Sequence, residues 1–220
     1  MATDVVLHPG KAAQPTRSIW TWLSWAVVAG LAAYFYVTTI PNYFHWDAGH
    51  YAQYWPNRWW LVAHVGGGSL ALILGPFQFS TMLRKRFVQV HRWMGRLYLA
   101  GILVGSVGAI YMGLWVSRLR AFGIALEFLA LAWLVTSGMA YLAVMRRQFA
   151  VHREWMIRSY VVTFGFVLFR LAERSHILAS LGGAMQAVML AWMCWAVPLL
   201  VTDVVLNWRR TLGAKKSATV

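Results

Sequence analysis

Two histidines hold equivalent places in a phrase that the chain uses twice. Val90-His91-Arg92-Trp93-Met94-Gly95-Arg96-Leu97-Tyr98 returns, with one residue inserted, as Val151-His152-Arg153-Glu154-Trp155-Met156-Ile157-Arg158-Ser159-Tyr160. Each copy follows a basic turn, Arg84-Lys85-Arg86-Phe87 and Arg146-Arg147-Gln148-Phe149, and opens a long apolar run. Imidazoles brought to one depth by two hairpins suit a bis-histidine haem iron, which takes nitrogen ligands from two helices. Arg92, Arg96, Arg153 and Arg158 stand beside them as cations for the propionates of a b-type haem. Duplication of a hairpin leaves the same pattern without any cofactor, its arginines snorkelling towards lipid headgroups.

A second set of polar residues falls in the other half of the same apolar runs: His64, Glu127, Arg170, Glu173 and His176. Charged groups in a bilayer cost roughly 2.5–3.5 kcal/mol each on insertion scales, so they mark either a function or a neutralising partner. His64 with His176 would ligate a second haem. His64, Glu127, Arg170 and Glu173 would instead form a proton or ion relay, or reduce to structural ion pairs. Gly68 and Gly75 share the helical face of His64, and Gly66, Gly67, Gly101, Gly105 and Gly108 thin the same runs. Such glycines admit a macrocycle or simply let two helices approach. His45-Trp46-Asp47-Ala48-Gly49-His50 offers ligands that zinc or copper would accept, but without helical phasing to fix their geometry a solvated loop is the better account. Gly66-Gly67-Gly68 follows no strand and is no nucleotide loop.

The elements that must position these residues are membrane spans. Sixty per cent of the 220 residues are apolar and only 12% are charged, against about 25% charged in soluble domains. Runs of the length needed to cross a hydrocarbon core of about 30 Å as helix recur along the chain. Six spans are expected, over 19–39, 59–82, 93–116, 121–145, 155–177 and 184–208. A polar tail, 1–18, precedes the 19–208 membrane domain and a second tail, 209–220, comes after it. The first run lacks a small-residue cleavage end and reads as a retained span.

Cys194 is the lone cysteine, which rules out an intrachain disulfide framework and cysteine-based metal sites. The net charge of +14 lies in short loops and reflects topology rather than a nucleic-acid partner. With six spans both termini share a side. That side holds Lys11, Arg17, Arg84, Lys85, Arg86, Arg92, Arg96, Arg146, Arg147, Arg153, Arg158, Arg209, Arg210, Lys215 and Lys216; the other keeps Arg58, Arg118, Arg120, Arg170 and Arg174. The positive-inside rule makes the first side cytoplasmic, and the expected location is a bacterial inner membrane. The fold expected is an all-α, six-span bundle with a parallel internal repeat of two hairpins, about 59–117 and 121–177. The first and last spans would flank those four helices.

His64-Val65-Gly66-Gly67-Gly68, Leu74-Gly75-Pro76-Phe77-Gln78-Phe79, His91-Arg92 with Gly95-Arg96 and Tyr98, and His152-Arg153 with Trp155-Met156-Ile157-Arg158-Ser159-Tyr160 together resemble a family of bacterial predicted membrane proteins. That family is catalogued as a domain of unknown function. The resemblance covers about 55–205, implies a multi-pass bundle and points to His64, His91 and His152. It leaves His45, His50 and His176 outside its pattern, and the family tends to carry Asn and Glu where this chain has Leu199 and Asp203. A looser similarity of architecture links the chain to di-haem cytochrome b-type membrane proteins.

The leading expectation is a cytochrome-b-like electron-transfer protein, with haem b held by His91 and His152. A quinone-side pocket would lie near Tyr98 or Tyr160. An ion- or proton-coupled transporter built on the His64 layer is the alternative, as is a non-catalytic membrane subunit or assembly factor. The bilayer is the expected surrounding, with a quinone or a redox protein as partner.

Overall fold

The computed structural model describes residues 19–175 and 182–213. Within them the chain is helical: α1 (Ile19–Thr38), α2 (Ala48–Tyr51), α3 (Arg58–Gln78), α4 (Thr81–Arg86), α5 (Val88–Tyr111), α6 (Arg120–Met145), α7 (Phe149–Arg174) and α8 (Gly183–Gly213). Short 3-10 turns, Ile40–Phe44 and Ala52–Asn57, flank α2, and a π-turn, Met112–Val116, closes α5. Six helical stretches are long and apolar enough to cross a membrane. The all-helical, six-span architecture is therefore as expected.

Two boundaries differ in a way that matters. α5 begins at Val88 and α7 at Phe149, five and six residues before the apolar runs alone suggested. A helix needs no apolar residue to continue, only paired backbone groups. Both start beyond the greasy segment, so His91 and His152 fall within the first turn or so of their helices. The α3–α5 connection is also more ordered than a turn: Ser80 caps α4 by accepting from the Leu83 amide.

α3, α5, α6 and α7 form a ring, each packing on its two neighbours, so α5 and α7 stand on a diagonal. α8 lies on α7 and α6, and α1 lies on α7. The Tyr36 hydroxyl of α1 donates to the Ser69 carbonyl of α3 at 2.7 Å. The flanking role foreseen for the first and last spans holds.

Backbone proximity explains the tightest seam, between α3 and α5. A Cβ on Gly67 would lie 2.6 Å from the Gly105 nitrogen, and one on Gly108 2.6 Å from the Trp60 carbonyl oxygen. Lipid tails are as apolar as leucine, so close contact rather than water exclusion drives this association. The glycine pattern thus serves helix packing. Gly66 has open space beside it.

The centre of the bundle is polar and sealed. Tyr98 OH bonds Ser159 Oγ at 2.8 Å and Thr163 Oγ1 at 3.2 Å, and Ser137 Oγ meets Ser159 Oγ at 2.8 Å. Trp133 Nε1 donates to Thr163 Oγ1 at 2.8 Å. All five residues are buried. The network ties α5, α6 and α7 at one level.

The seam and the network each have a test. Gly67→Val should abolish recovery of monodisperse protein, while Gly66→Val should leave the size-exclusion profile unchanged. Tyr98→Phe should cost about 1–2 kcal/mol, the worth of a lost hydrogen bond with its partners left buried, read as a lower unfolding midpoint in detergent.

Candidate functional site

The Tyr98–Ser159 bond sets the register of the diagonal. α5 and α7 are alternate spans and run the same way, and the bonded pair is separated by 61 residues. His91 and His152 have that same separation and precede the pair by seven residues. Seven residues are two turns, about 10 Å, and return almost to the starting angle. The two imidazoles therefore stand level, on the faces that α5 and α7 turn towards one another, and each is half-buried. They lie within electrostatic range of each other.

Their surroundings differ. His152 Nδ1 is 2.8 Å from the Ala140 carbonyl oxygen of α6. A carbonyl only accepts, so Nδ1 carries the proton and Nε2 a lone pair. His91 Nδ1 is buried with no hydrogen-bond partner, as is Gln78 Nε2 at the end of α3. The Gln78 amide oxygen abuts Gly95, one turn along α5 from His91. An unsatisfied buried polar group costs about 1–3 kcal/mol, so this end of the bundle holds two donors or acceptors that still lack partners. In the sequence Gln78 stands out only as part of a motif, with nothing in its spacing to mark it as a site residue.

The four arginines divide. Arg92, Arg96 and Arg153 are exposed, with Arg96 resting over the Trp93 ring at 4.8 Å. Arg158 is buried and held by Asp203 of α8, at 3.0 Å from Nε and 2.5 Å from Nη2. Glu154 lies 3.8 Å away and Trp155 beneath the guanidinium. Arg158 is thus already neutralised and joins α7 to α8. No periodicity in the sequence announces a pairing across 45 residues.

The opposite half holds a cavity of about 300 Å³. α1, α3, α6, α7 and α8 wall it, and the segment 42–54 covers it. Met112 of the π-turn reaches its lining, and such turns recur at functional sites. His64 lines the cavity, with Nδ1 3.0 Å from the Gly105 carbonyl oxygen and its ring edge-on to Phe166. The same tautomer argument leaves Nε2 of His64 with the lone pair. Arg170 lines it as well, bonded to Glu173 at 2.8 Å and to the Tyr43 hydroxyl at 3.3 Å.

Glu127 does not join that cluster. It pairs with Arg120 at 2.9 Å and packs against Gly113. Glu127 and Glu173 thus belong to two separate ion pairs, with Arg120 and Arg170. His176 lies outside the described residues. His45 and His50 have ring centroids 5.1 Å apart, but Asp47 is occupied in capping α2, accepting from the His50 amide at 2.8 Å. Among the described residues no three histidines, cysteines or carboxylates gather as a metal site.

The tyrosines need a correction. Tyr98 is sealed in the central network, and Tyr160 is directed at α3, where its ring occupies the space a Cβ on Gly75 would need. Neither lines the cavity. The single inserted residue, Glu154, explains the divergence, since one extra residue rotates the rest of the helix by about 100°.

Removing Asp203 tests the α7–α8 tie. Asp203→Ala should destabilise by on the order of 1–3 kcal/mol, less than a fully buried pair because the carboxylate is half-exposed. Arg158→Met in the same background should restore part of that loss in a thermal unfolding scan.

No curated protein and no solved structure matches the chain. The family described as predicted membrane protein (DUF2306) matches residues 61–206, a stretch that holds α3 to α7 almost whole and both histidine phrases. The glycine seam, the central network, His64, His91 and His152 all lie inside it. By that match over about two thirds of its length, the chain belongs to the DUF2306 family of predicted membrane proteins.

Proposed function

We propose that this multi-pass protein is a cytochrome-b-like electron carrier that binds one b-type haem between α5 and α7, on His91 and His152. The supporting observation is the pair of level imidazoles on the diagonal, two turns from the Tyr98–Ser159 bond. The residues fit the group on three counts. His152 is oriented through Nδ1 by the Ala140 carbonyl, the outer-shell contact that fixes a metal-binding tautomer. His91 carries a buried nitrogen in search of a partner. Arg92, Arg96 and Arg153 are exposed beside them, ready to meet propionates at the headgroup level, whereas Arg158 is engaged elsewhere.

When bound, such a group exchanges single electrons. The chain's own residues hold it, set its tautomeric environment and shield its inner edge with Tyr98, Trp133 and Ser159. The charge bias of the loops favours a cytoplasmic side for this end. An ion-coupled carrier is the weaker reading, because the far-end charges close into two local pairs.

The absorption spectrum tests the proposal. Protein purified from haem-replete cells should show a Soret band that His91→Ala and His152→Ala each reduce at least tenfold. His64→Ala should keep it. Monodisperse wild-type protein that stays colourless, also after haem is added, sinks the proposal.

A further inference from the structure

The far-end cavity is a second site, separate from the histidine diagonal by the sealed central network. Its walls are mostly rings and branched chains, among them Phe35, Phe166 and Phe169, which suits a flat apolar ligand. Several polar groups line it as well. His64 offers Nε2 as an acceptor, since Nδ1 is committed to Gly105.

Thr39 and Tyr43 bring two hydroxyls to the same lining. Thr39 is buried, and its Oγ1 has no hydrogen-bond partner. Tyr43 accepts from Arg170, which leaves its own O–H available to donate. Arg170 is balanced by Glu173, so the cavity does not ask for an anion. A neutral hydroquinone ring complements these three groups: one hydroxyl donates to His64, and the other oxygen accepts from Thr39 or Tyr43. Ligand pockets in general span about 300–1,000 Å³ and are apolar with a few placed polar groups.

We infer that this cavity binds the ring of a lipid-soluble quinol, with His64 and the Thr39–Tyr43 hydroxyls as its polar contacts. The inference stands on the cavity and not on the haem, and it moves the expected quinone pocket from Tyr98 and Tyr160 to the other half of the bundle.

The test is calorimetric titration of the full chain in lipid nanodiscs with a decyl-substituted benzoquinol kept reduced under anaerobic conditions, with protein-free discs as baseline. Saturable binding near one per chain is expected. Leu126→Trp, which fills the cavity, should weaken it at least tenfold, about 1.4 kcal/mol. Thr39→Val is close in shape and removes an unsatisfied group, so it should fold well yet bind severalfold more weakly.

His91→Ala/His152→Ala protein should bind the quinol as the wild type does, which keeps the haem and quinol readings distinguishable. Uptake no greater than in empty discs overturns the inference, as does unchanged binding in both cavity variants. A Soret band that survives loss of His91 and His152 but not of His64 would assign the cavity to haem instead.

Discussion

Everything in this fold turns on one knot of hydrogen bonds in the middle of the bundle. Tyr98, Ser137, Ser159, Thr163 and Trp133 join three helices at a depth where no water competes. In hydrocarbon, helices gain little from burying one apolar surface rather than another, so geometry is left to close contact and to polar groups that must find partners. The knot fixes the level of α5 against α7, and thereby the level of His91 against His152. It also divides the interior in two: an end with two imidazoles and unpartnered nitrogens, and an end with a cavity. Weakening it would loosen both at once.

The two ends differ because α5 and α7 diverge at matched levels. With Tyr98 opposite Ser159, Gly105 is level with Phe166 and Gly108 with Phe169. On α5 the glycines draw α3 in until backbones touch. On α7 the phenylalanines hold their neighbours off and become cavity wall. One copy of the phrase leads into a seam and the other into a chamber. Trp133 is wedged between Gly105 and Phe166, on the side of the central network.

Much of this architecture is readable from residue order. Run length and composition announce six helices, and the doubled His-Arg phrase announces the level pair, because both are local properties of the chain. The glycines are ambiguous for a physical reason: an absent side chain says that something comes close, not what. Tyr98 and Tyr160 mislead because the inserted Glu154 turns one of them away, an effect that a motif comparison reads as mere spacing. Arg158 and Asp203, far apart in sequence, find each other only once α8 lies on α7. The segment 40–57 looks like a loop in the sequence, yet its capped turns bring Tyr43 and Tyr51 over the cavity.

The tautomers of His64 and His152 carry the last step. Both rings have Nδ1 at a backbone carbonyl of a neighbouring helix, Gly105 for one and Ala140 for the other. A helix carbonyl facing a neighbour is free to accept a second bond, since oxygen has two lone pairs. The same device at both ends fixes the ring plane and leaves Nε2 as a lone pair facing whatever enters. At one end the facing group is another imidazole across the diagonal, which suits a metal centre held from two sides. At the other it is a chamber that also carries the Thr39 and Tyr43 hydroxyls, which suits a ligand that both donates and accepts. In the proposals made for the two ends, the difference in chemistry comes from the groups around each histidine, not from the histidines themselves.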